Sequence, residues 1–355
     1  MIGEPEGGHK KGQMFDDAVA SARKTRTFPA RVRIVYRGEP MIRTILAIVV
    51  LLAVPLYAQV PQAAALYEQA RFEEAKRLLA PLTNDADALF LLGKIALLQD
   101  DDETASAVLE KAVRMRPGSA NVHYWLGLAY RSRFMEASFL KQPSLAGKMR
   151  ESLERAVQLD PNHFEARLAL IDYYIFAPAI AGGSEKKALM QAAEVKRRDN
   201  FQGHRAYARM YVRQKKLDLA RKEYVDAVRE ESSSVAARAA LAGFHAVNEK
   251  NYAAAFSELD AALKLDPAYM PAWFRIGQAA ALSGTNLQRG EEALEKYLAY
   301  RPKENEPSLL VAYYYLGLIH EKQSRKADAR AAFASALKIN PRWKDLQDAA
   351  KRVAH

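Results

Sequence analysis

The side chains best equipped for chemistry are His9, His123, His163, His204, His245, His320 and His355. A metal site gathers its ligands at one point, so histidines that build one recur in pairs a helical turn apart or beside cysteines. These seven stand singly and the chain has no cysteine, so packing or solvent is the expected fate of each. The run Asp100-Asp101-Asp102-Glu103 offers four carboxylates, but it lacks the alternating ligands and the glycine of a calcium loop. It reads as a hairpin turn whose carboxylates cap the next helix. Gly182-Gly183-Ser184 is a turn ahead of a helix, and there is no Gly-rich phosphate loop, no H-E-x-x-H and no G-x-S-x-G. No catalytic residue, cofactor site or metal site is expected. One spacing is more productive: Arg205, Arg209 and Arg213 recur every fourth residue and so share one stripe of a helix. Three guanidiniums in a row suit the carboxylates of an extended peptide or an acidic helix. The plainer alternative is a solvated face partly neutralised by its neighbours.

Those arginines need a helix to align them, and the composition favours one. Half of the 355 residues are hydrophobic, and there are only 17 Gly and 15 Pro, which points to an all-α chain rather than a many-turned β architecture. Without cysteine there is no disulfide, no thiolate nucleophile and no acceptor for bacterial lipoprotein acylation. The net charge of +11 suggests nucleic acid at first sight. Residues 1–58 hold nine Lys/Arg against five Asp/Glu, however, so +4 sits there and +7 is spread over the rest. Backbone phosphate requires clustered cations, whereas basic and acidic residues alternate along most of this chain. No specific nucleic acid is expected as a partner.

The chain resembles itself at a distance of 34 residues. Leu92-Gly93 is answered by Leu126-Gly127, and Ala242-Gly243 by Ile276-Gly277. Downstream of each glycine runs a small residue, a large apolar one four later, another small one and often a proline: Ala105, Leu109, Ala112, Pro117; Ala255, Leu259, Ala262, Pro267; Ala329, Phe333, Ala336, Pro341. Small residues let two antiparallel helices approach, the large one fills the gap to the next hairpin, and proline stops the second helix. The pattern resembles the tetratricopeptide-repeat (TPR) family, met most fully by Trp273, Ile276, Gly277 and Pro302 and by Leu126, Gly127, Tyr130 and Pro161. The resemblance implies an all-α, right-handed superhelical solenoid of about eight helix-turn-helix repeats. Their boundaries are about 60–83, 86–119, 120–163, 164–200, 201–234, 236–269, 270–304 and 310–343. Residues 344–354 form a capping helix whose polar side covers the end of the array. Three copies depart from the pattern: the third carries SRFMEASFLKQPSLAG (132–147) between its helices, the fourth carries Ala177 to Gly183 at its turn, and Gly290 replaces the usual Ala in the seventh.

In this family the first helix of each hairpin lines a concave groove, and the resemblance implies that partners bind there. Read from the register, the groove presents Asn121, Tyr124, Arg131, Asp172, Gln202, Arg205, Arg209, Arg213, Asn248, Phe274, Gln278 and Tyr314, with Glu321 beyond. The implied activity is non-enzymatic: a scaffold that binds a protein or peptide partner, with an acidic segment suited to the arginine stripe. Some members grip the C-terminal carboxylate of cytosolic chaperones with a set of Lys and Asn, and the inner positions here do not reproduce it. An alternative is an accessory subunit of an envelope enzyme or secretion complex, docked through the edge loops at 132–147 and 176–183. The oligomeric state is left open.

The N-terminus adds a location. From Met41 the sequence MIRTILAIVVLLAVPLYAQ runs from Arg43 through an apolar stretch, Ile45 to Leu56, to the small residue Ala58. This is the layout of a secretory signal at 41–58 with cleavage after Ala58. Residues 1–40 have no apolar period and read as a disordered or mis-assigned extension. If Met1 is the start, the same stretch becomes an inner-membrane anchor with the basic extension in the cytoplasm. Either way residues 59–355 are expected outside the cytoplasm, periplasmic or secreted.

Overall fold

The first consequence of the 34-residue period is a chain that is helical almost throughout. A computed structural model describes residues 59–303 and 305–354, and no strand occurs among them. The expected extension and export signal lie outside the described residues. Helix α1 (59–68) pairs with α2 (Phe72–Leu79), α3 (Ala86–Leu98) with α4 (Asp102–Met115), α5 (Ala120–Glu136) with α6 (Gln142–Leu159), and α7 (Phe164–Phe176) with α8 (Glu185–Arg198). There follow α9 (Asn200–Arg213) with α10 (Leu217–Glu230), α11 (Val235–Phe244) with α12 (Tyr252–Leu265), α13 (Met270–Ser283) with α14 (Leu287–Leu298), and α15 (Leu309–Lys322) with α16 (Lys326–Ile339). Helix α17 (Lys344–Arg352) caps the last hairpin, burying Leu346, Ala349 and Val353 while its lysines and carboxylates face out.

Each start and stop has a local cause. Asp85, Ser119, Ser184, Asp199, Ser234 and Asn251 accept hydrogen bonds from backbone N–H groups in the first turns of α3, α5, α8, α9, α11 and α12, satisfying donors that a helix start leaves free. The turn inside a hairpin repeats one device. Ala70, Asp100, Lys215, Lys250 and Ser324 sit in the left-handed region with φ between 53° and 61°. The next residue's N–H then reaches back, Asp101 to the Ala96 carbonyl at 2.8 Å and Lys216 to Tyr211 at 2.9 Å, which is the Schellman closure. In the sixth hairpin a π-helical turn, His245–Glu249, adds a residue, so Asn251 reaches His245 instead.

The glycines at the 34-residue period mark where the two helices of a hairpin touch. A Cβ on Gly93 would lie 2.4 Å from Leu109, on Gly277 2.2 Å from Leu294, and on Gly317 2.3 Å from Phe333. In these three hairpins the large residue of the second helix sits against its own hairpin's glycine, and Leu109 also shares its cluster with Val122 and Leu126 of the next hairpin. At Gly290 a Cβ would stand 2.3 Å from that of Ala280, so α13 and α14 meet too closely for the usual Ala. Ala105, Leu109, Ala112, Ala255, Leu259, Ala262, Ala329, Phe333 and Ala336 are all fully buried, as the small-large-small spacing requires.

The departures resolve differently from one another. The stretch 132–147 is no loop: α5 and α6 run to 17 and 18 residues, and only residues 137–141 connect them. The extra length goes into helix: α5 runs on to Glu136, and α6 starts at Gln142 with Leu145 and Ala146 already buried. In the fourth hairpin a short 3-10 turn, Ala179–Ala181, leads into Gly182 at φ 91°. A Cβ on Gly183 would fall on the Ala177 carbonyl oxygen.

The array also closes on itself. Phe72, Leu79, Leu91 and Ile95 of the first two hairpins share one apolar cluster with Leu310, Phe333, Ile339 and Leu346 of the last hairpin and its cap. Around it, Gln99 Nε2 donates to the Ile339 carbonyl at 3.4 Å, Asn340 Nδ2 to Asp100 Oδ2 at 2.9 Å, and Arg342 to the Asp100 carbonyl at 3.2 Å. Glu68 pairs with Arg301. Asp100 and Asp101 thus hold the far end of the chain; Asp101 makes no side-chain cap to α4, which corrects the capping role expected of this acidic run. Between the fifth and sixth hairpins Ala208, Ala220 and Phe244 form a small separate cluster.

Candidate partner-binding groove

Helix α9 reads NFQGHRAYARMYVR, with buried Gly203, Ala206, Ala208 and Met210 on one side. The other side carries Arg205, Arg209 and Arg213. All three line a cavity of about 260 Å³, together with Leu168, Val212, Tyr224 and Asn248. Asp172, from α7, sits buried beneath them. Arg209 grips it with both its Nε, at 3.0 Å, and Nη2, and Arg213 adds Nε at 3.2 Å and Nη2 at 3.4 Å. Burial alone would raise the Asp172 carboxyl, but the two guanidiniums outweigh it and hold the group below the usual carboxylate range. Arg209 is raised in return against its own burial. One carboxylate thus serves two cations, and the stripe is neutralised in part only. Arg205 is steadied by Gln202 Oε1 at 2.6 Å and lies over the Phe201 ring, but has no carboxylate partner among the described residues.

A fourth cation went unread in the sequence. Arg275 on α13 projects into the space that Gly243 leaves free, its guanidinium 3.1 Å from where a Cβ would stand. It donates to Gln278 Oε1 at 2.5 Å and, like Arg205, has no carboxylate partner among the described residues. Burial holds its pKa below the ordinary guanidinium value; Tyr224 and Tyr315 lie near enough to oppose this, and Arg205 near enough to reinforce it. Gly243 followed 32 residues later by Arg275 was the available signal.

The remaining groove residues divide. Asn121 and Tyr124 line a second cavity, about 590 Å³, with Trp125, His163 and Glu165 on one side and Lys303, Asn305 and Glu306 of the α14–α15 connection on the other. Arg131 is exposed on α5 and lines neither cavity. Three assignments are corrected. Phe274 is 2% exposed and packs on Tyr297 and Tyr315; Gln278 is buried, donating to Tyr315 Oη at 2.9 Å; Tyr314 packs against Trp343 ahead of the cap. Glu321 pairs with Arg352 of the cap.

Among the described residues, four histidines hold structure. His204 is buried between Glu223 at 2.8 Å and Glu230 at 3.2 Å, His320 meets Glu291 at 3.1 Å, and His245 meets Glu249 at 2.6 Å. His163 accepts the first-turn N–H of Ala166 at the start of α7. No group of three or more metal-ligating side chains gathers among the described residues, and none of their helices is long and apolar enough to cross a membrane.

Comparison with known proteins gives two family matches, both described as tetratricopeptide repeat, over residues 58–120 and 311–343. No curated protein sequence gives a significant match. Among solved structures, the human IFIT1 dimer with PPP-AAAA is similar at 19% identity and a TM-score of 0.44, over 82% of this chain and 72% of that one. A tetratricopeptide repeat protein from Parabacteroides merdae is similar at 15% identity and a TM-score of 0.42, over 76% and 99%. The APC/C hetero-tetramer Cut9–Hcn1 gives 15% identity and a TM-score of 0.40, and the match spans 84% of this chain but only 55% of that one. With both ends of the array matched by the repeat family and eight stacked hairpins between residues 59 and 339, the chain is a tetratricopeptide-repeat protein.

Proposed function

We propose that the chain is a non-enzymatic scaffold of the bacterial cell envelope that holds an acidic segment of a protein partner in its concave groove. Tetratricopeptide repeats generally mediate protein–protein interaction and are typically non-catalytic. What favours an acidic partner is one observation: Arg209 and Arg213 share a single carboxylate, Asp172, while Arg205 lines the same cavity with no carboxylate partner among the described residues and Arg275 lies near it. Incoming carboxylates would find Arg205 without an acidic partner and two half-neutralised arginines beside it. The preformed surface lowers the ordering cost of binding. The location rests on the signal-like segment 41–58; export and an inner-membrane anchor both leave the repeats in the periplasm. Crosslinking from cells with mass spectrometry, comparing the intact protein with Arg205→Glu/Arg209→Glu, tests the reading. Acidic envelope proteins captured by the first and lost from the second support it. Partners that persist in the variant remove the groove from the account, and cytosolic partners remove the location.

A further inference from the structure

Five large apolar side chains stand in solvent at the turns of the third and fourth hairpins: Met135 at 76% exposure, Phe139 at 82%, Leu140 at 88%, Phe176 at 64% and Ile180 at 100%. Leaving such groups in water is unfavourable, and here five of the most exposed fall together on the turns of two adjacent hairpins instead of being scattered singly over the surface. The turns that carry them are built rather than slack. Tyr173 Oη donates to the Ala181 carbonyl, Ser184 N–H to the Tyr174 carbonyl at 2.8 Å, and Gln142 Nε2 to the Ala137 carbonyl at 3.3 Å. Gly182 and Gly183 take positions that no other residue fits without strain.

The same edge is basic. Lys141, Lys186, Lys215 and Lys250 stand at or just after the turns of the third to sixth hairpins, all exposed and none in an ion pair among the described residues. The carboxylates nearby are mostly engaged: Glu185 faces Lys216 at 3.8 Å, and Asp218 and Glu249 are taken by Arg221. Glu136 beside Met135 is exposed. We infer that this edge docks onto an anionic lipid bilayer, the apolar tips of the third and fourth hairpins entering the headgroup boundary and the lysines of the third to sixth meeting lipid phosphates. Apolar tips with interleaved lysines suit an interface where apolar groups sink about 5–10 Å and cations stay at the charged surface. The core of a protein interface is depleted in lysine, which disfavours a protein partner on this edge. Phe176 lies under the guanidinium of Arg213, 5.3 Å from its ring centroid, so this edge adjoins the arginine-lined cavity, but the inference does not rest on what that cavity binds.

The absence of native cysteine makes the test local. In the full chain, a single cysteine replaces Phe139 or Ile180 and carries an environment-sensitive dye. A control dye sits at Gly118, on the opposite edge, where an added side chain meets nothing within 4 Å. Vesicles of phosphatidylglycerol with phosphatidylcholine are added, some with brominated acyl chains, and phosphatidylcholine vesicles serve for comparison. The expected result is a blue shift and bromine quenching at 139 and 180, little change at 118, and a weak response to phosphatidylcholine alone. Lys141→Glu/Lys186→Glu/Lys215→Glu/Lys250→Glu should raise the vesicle concentration required by about a hundredfold or more, the combined effect of four surface lysines. All four are exposed, so the fold survives, and circular dichroism verifies it. The inference is overturned by silence at 139 and 180, by an equal shift at 118, by indifference to the charge reversal, or by a shift that lipid-free envelope protein produces and vesicles do not.

Discussion

Replacing Asp172 by Asn should weaken the fold and strengthen the groove's hold on acidic partners, two effects that seldom come together. The Asp172 side chain is 7% exposed, while Arg209 and Arg213 are 37% and 39% exposed. Breaking a buried pair costs about 3–5 kcal/mol, whereas exposed pairs are worth about 0–1. With the carboxylate buried and both guanidiniums able to recover water, the loss should be about 2 kcal/mol, read from urea unfolding at pH 7. The pH dependence gives a second reading. A carboxylate whose folded pKa is depressed contributes stability that is fully present above its unfolded pKa, about 3.9, and that is lost as pH falls through the folded value. The gap between Asp172→Asn and the parent should therefore persist from pH 7 to about 5 and shrink below about 4. Meanwhile the two released arginines should tighten binding of an acidic peptide, measured by fluorescence anisotropy at low salt. A gap that survives unchanged at pH 3, or an affinity that falls with the stability, would refute the idea that Asp172 is the internal competitor for the stripe.

Other substitutions test the packing. Gly317→Ala would put a Cβ 2.3 Å from the Phe333 ring; overpacking of this kind costs about 1–3 kcal/mol, and an unchanged urea midpoint would contradict the contact. Ala255→Asp buries a charge at a fully buried position and should cost on the order of 3 kcal/mol or more, visible as loss of cooperative melting. Ser324→Gly relieves an exposed left-handed residue, φ 61°, and should raise stability by about 0.5–1 kcal/mol; a drop would mean that the serine side chain contributes something its backbone conformation does not show.

How far the sequence could be read depended on whether a helix has one apolar side. Helix α9 does, and its arginine spacing located Arg205, Arg209 and Arg213 on one cavity. The glycine and alanine positions were equally legible, because a close helix crossing tolerates little else. Helices α13 and α15 read MPAWFRIGQAAALS and LLVAYYYLGLIHEK, apolar on nearly every side, so no stripe fixed the register. On such helices the repeat register points Phe274, Gln278 and Tyr314 into the groove and gives no sign of Arg275, one residue from Phe274. The extra residues at 132–147 read as a loop because an insertion breaks the repeat even when it continues the helix. Contacts between residues 99–101 and 339–342 leave no trace in any local period, since periodicity reports neighbours along the chain and not partners 240 residues away.

That closure changes where the molecule breathes. In an open repeat array each unit leans only on its neighbours, so the end units, supported on one side, fray first and exchange their amide hydrogens fastest. Here the first two hairpins and the last share the cluster around Phe333, and Asp100 of the second hairpin accepts from Asn340, so each end has a partner that an open array lacks. Slower exchange at the two ends should bring the middle of the sequence into play, and the small cluster of Ala208, Ala220 and Phe244, which adjoins the arginine-lined cavity through Val212 and Tyr224, is where earlier opening is expected. An acidic segment held in that cavity would then slow exchange on both the fifth and the sixth hairpin.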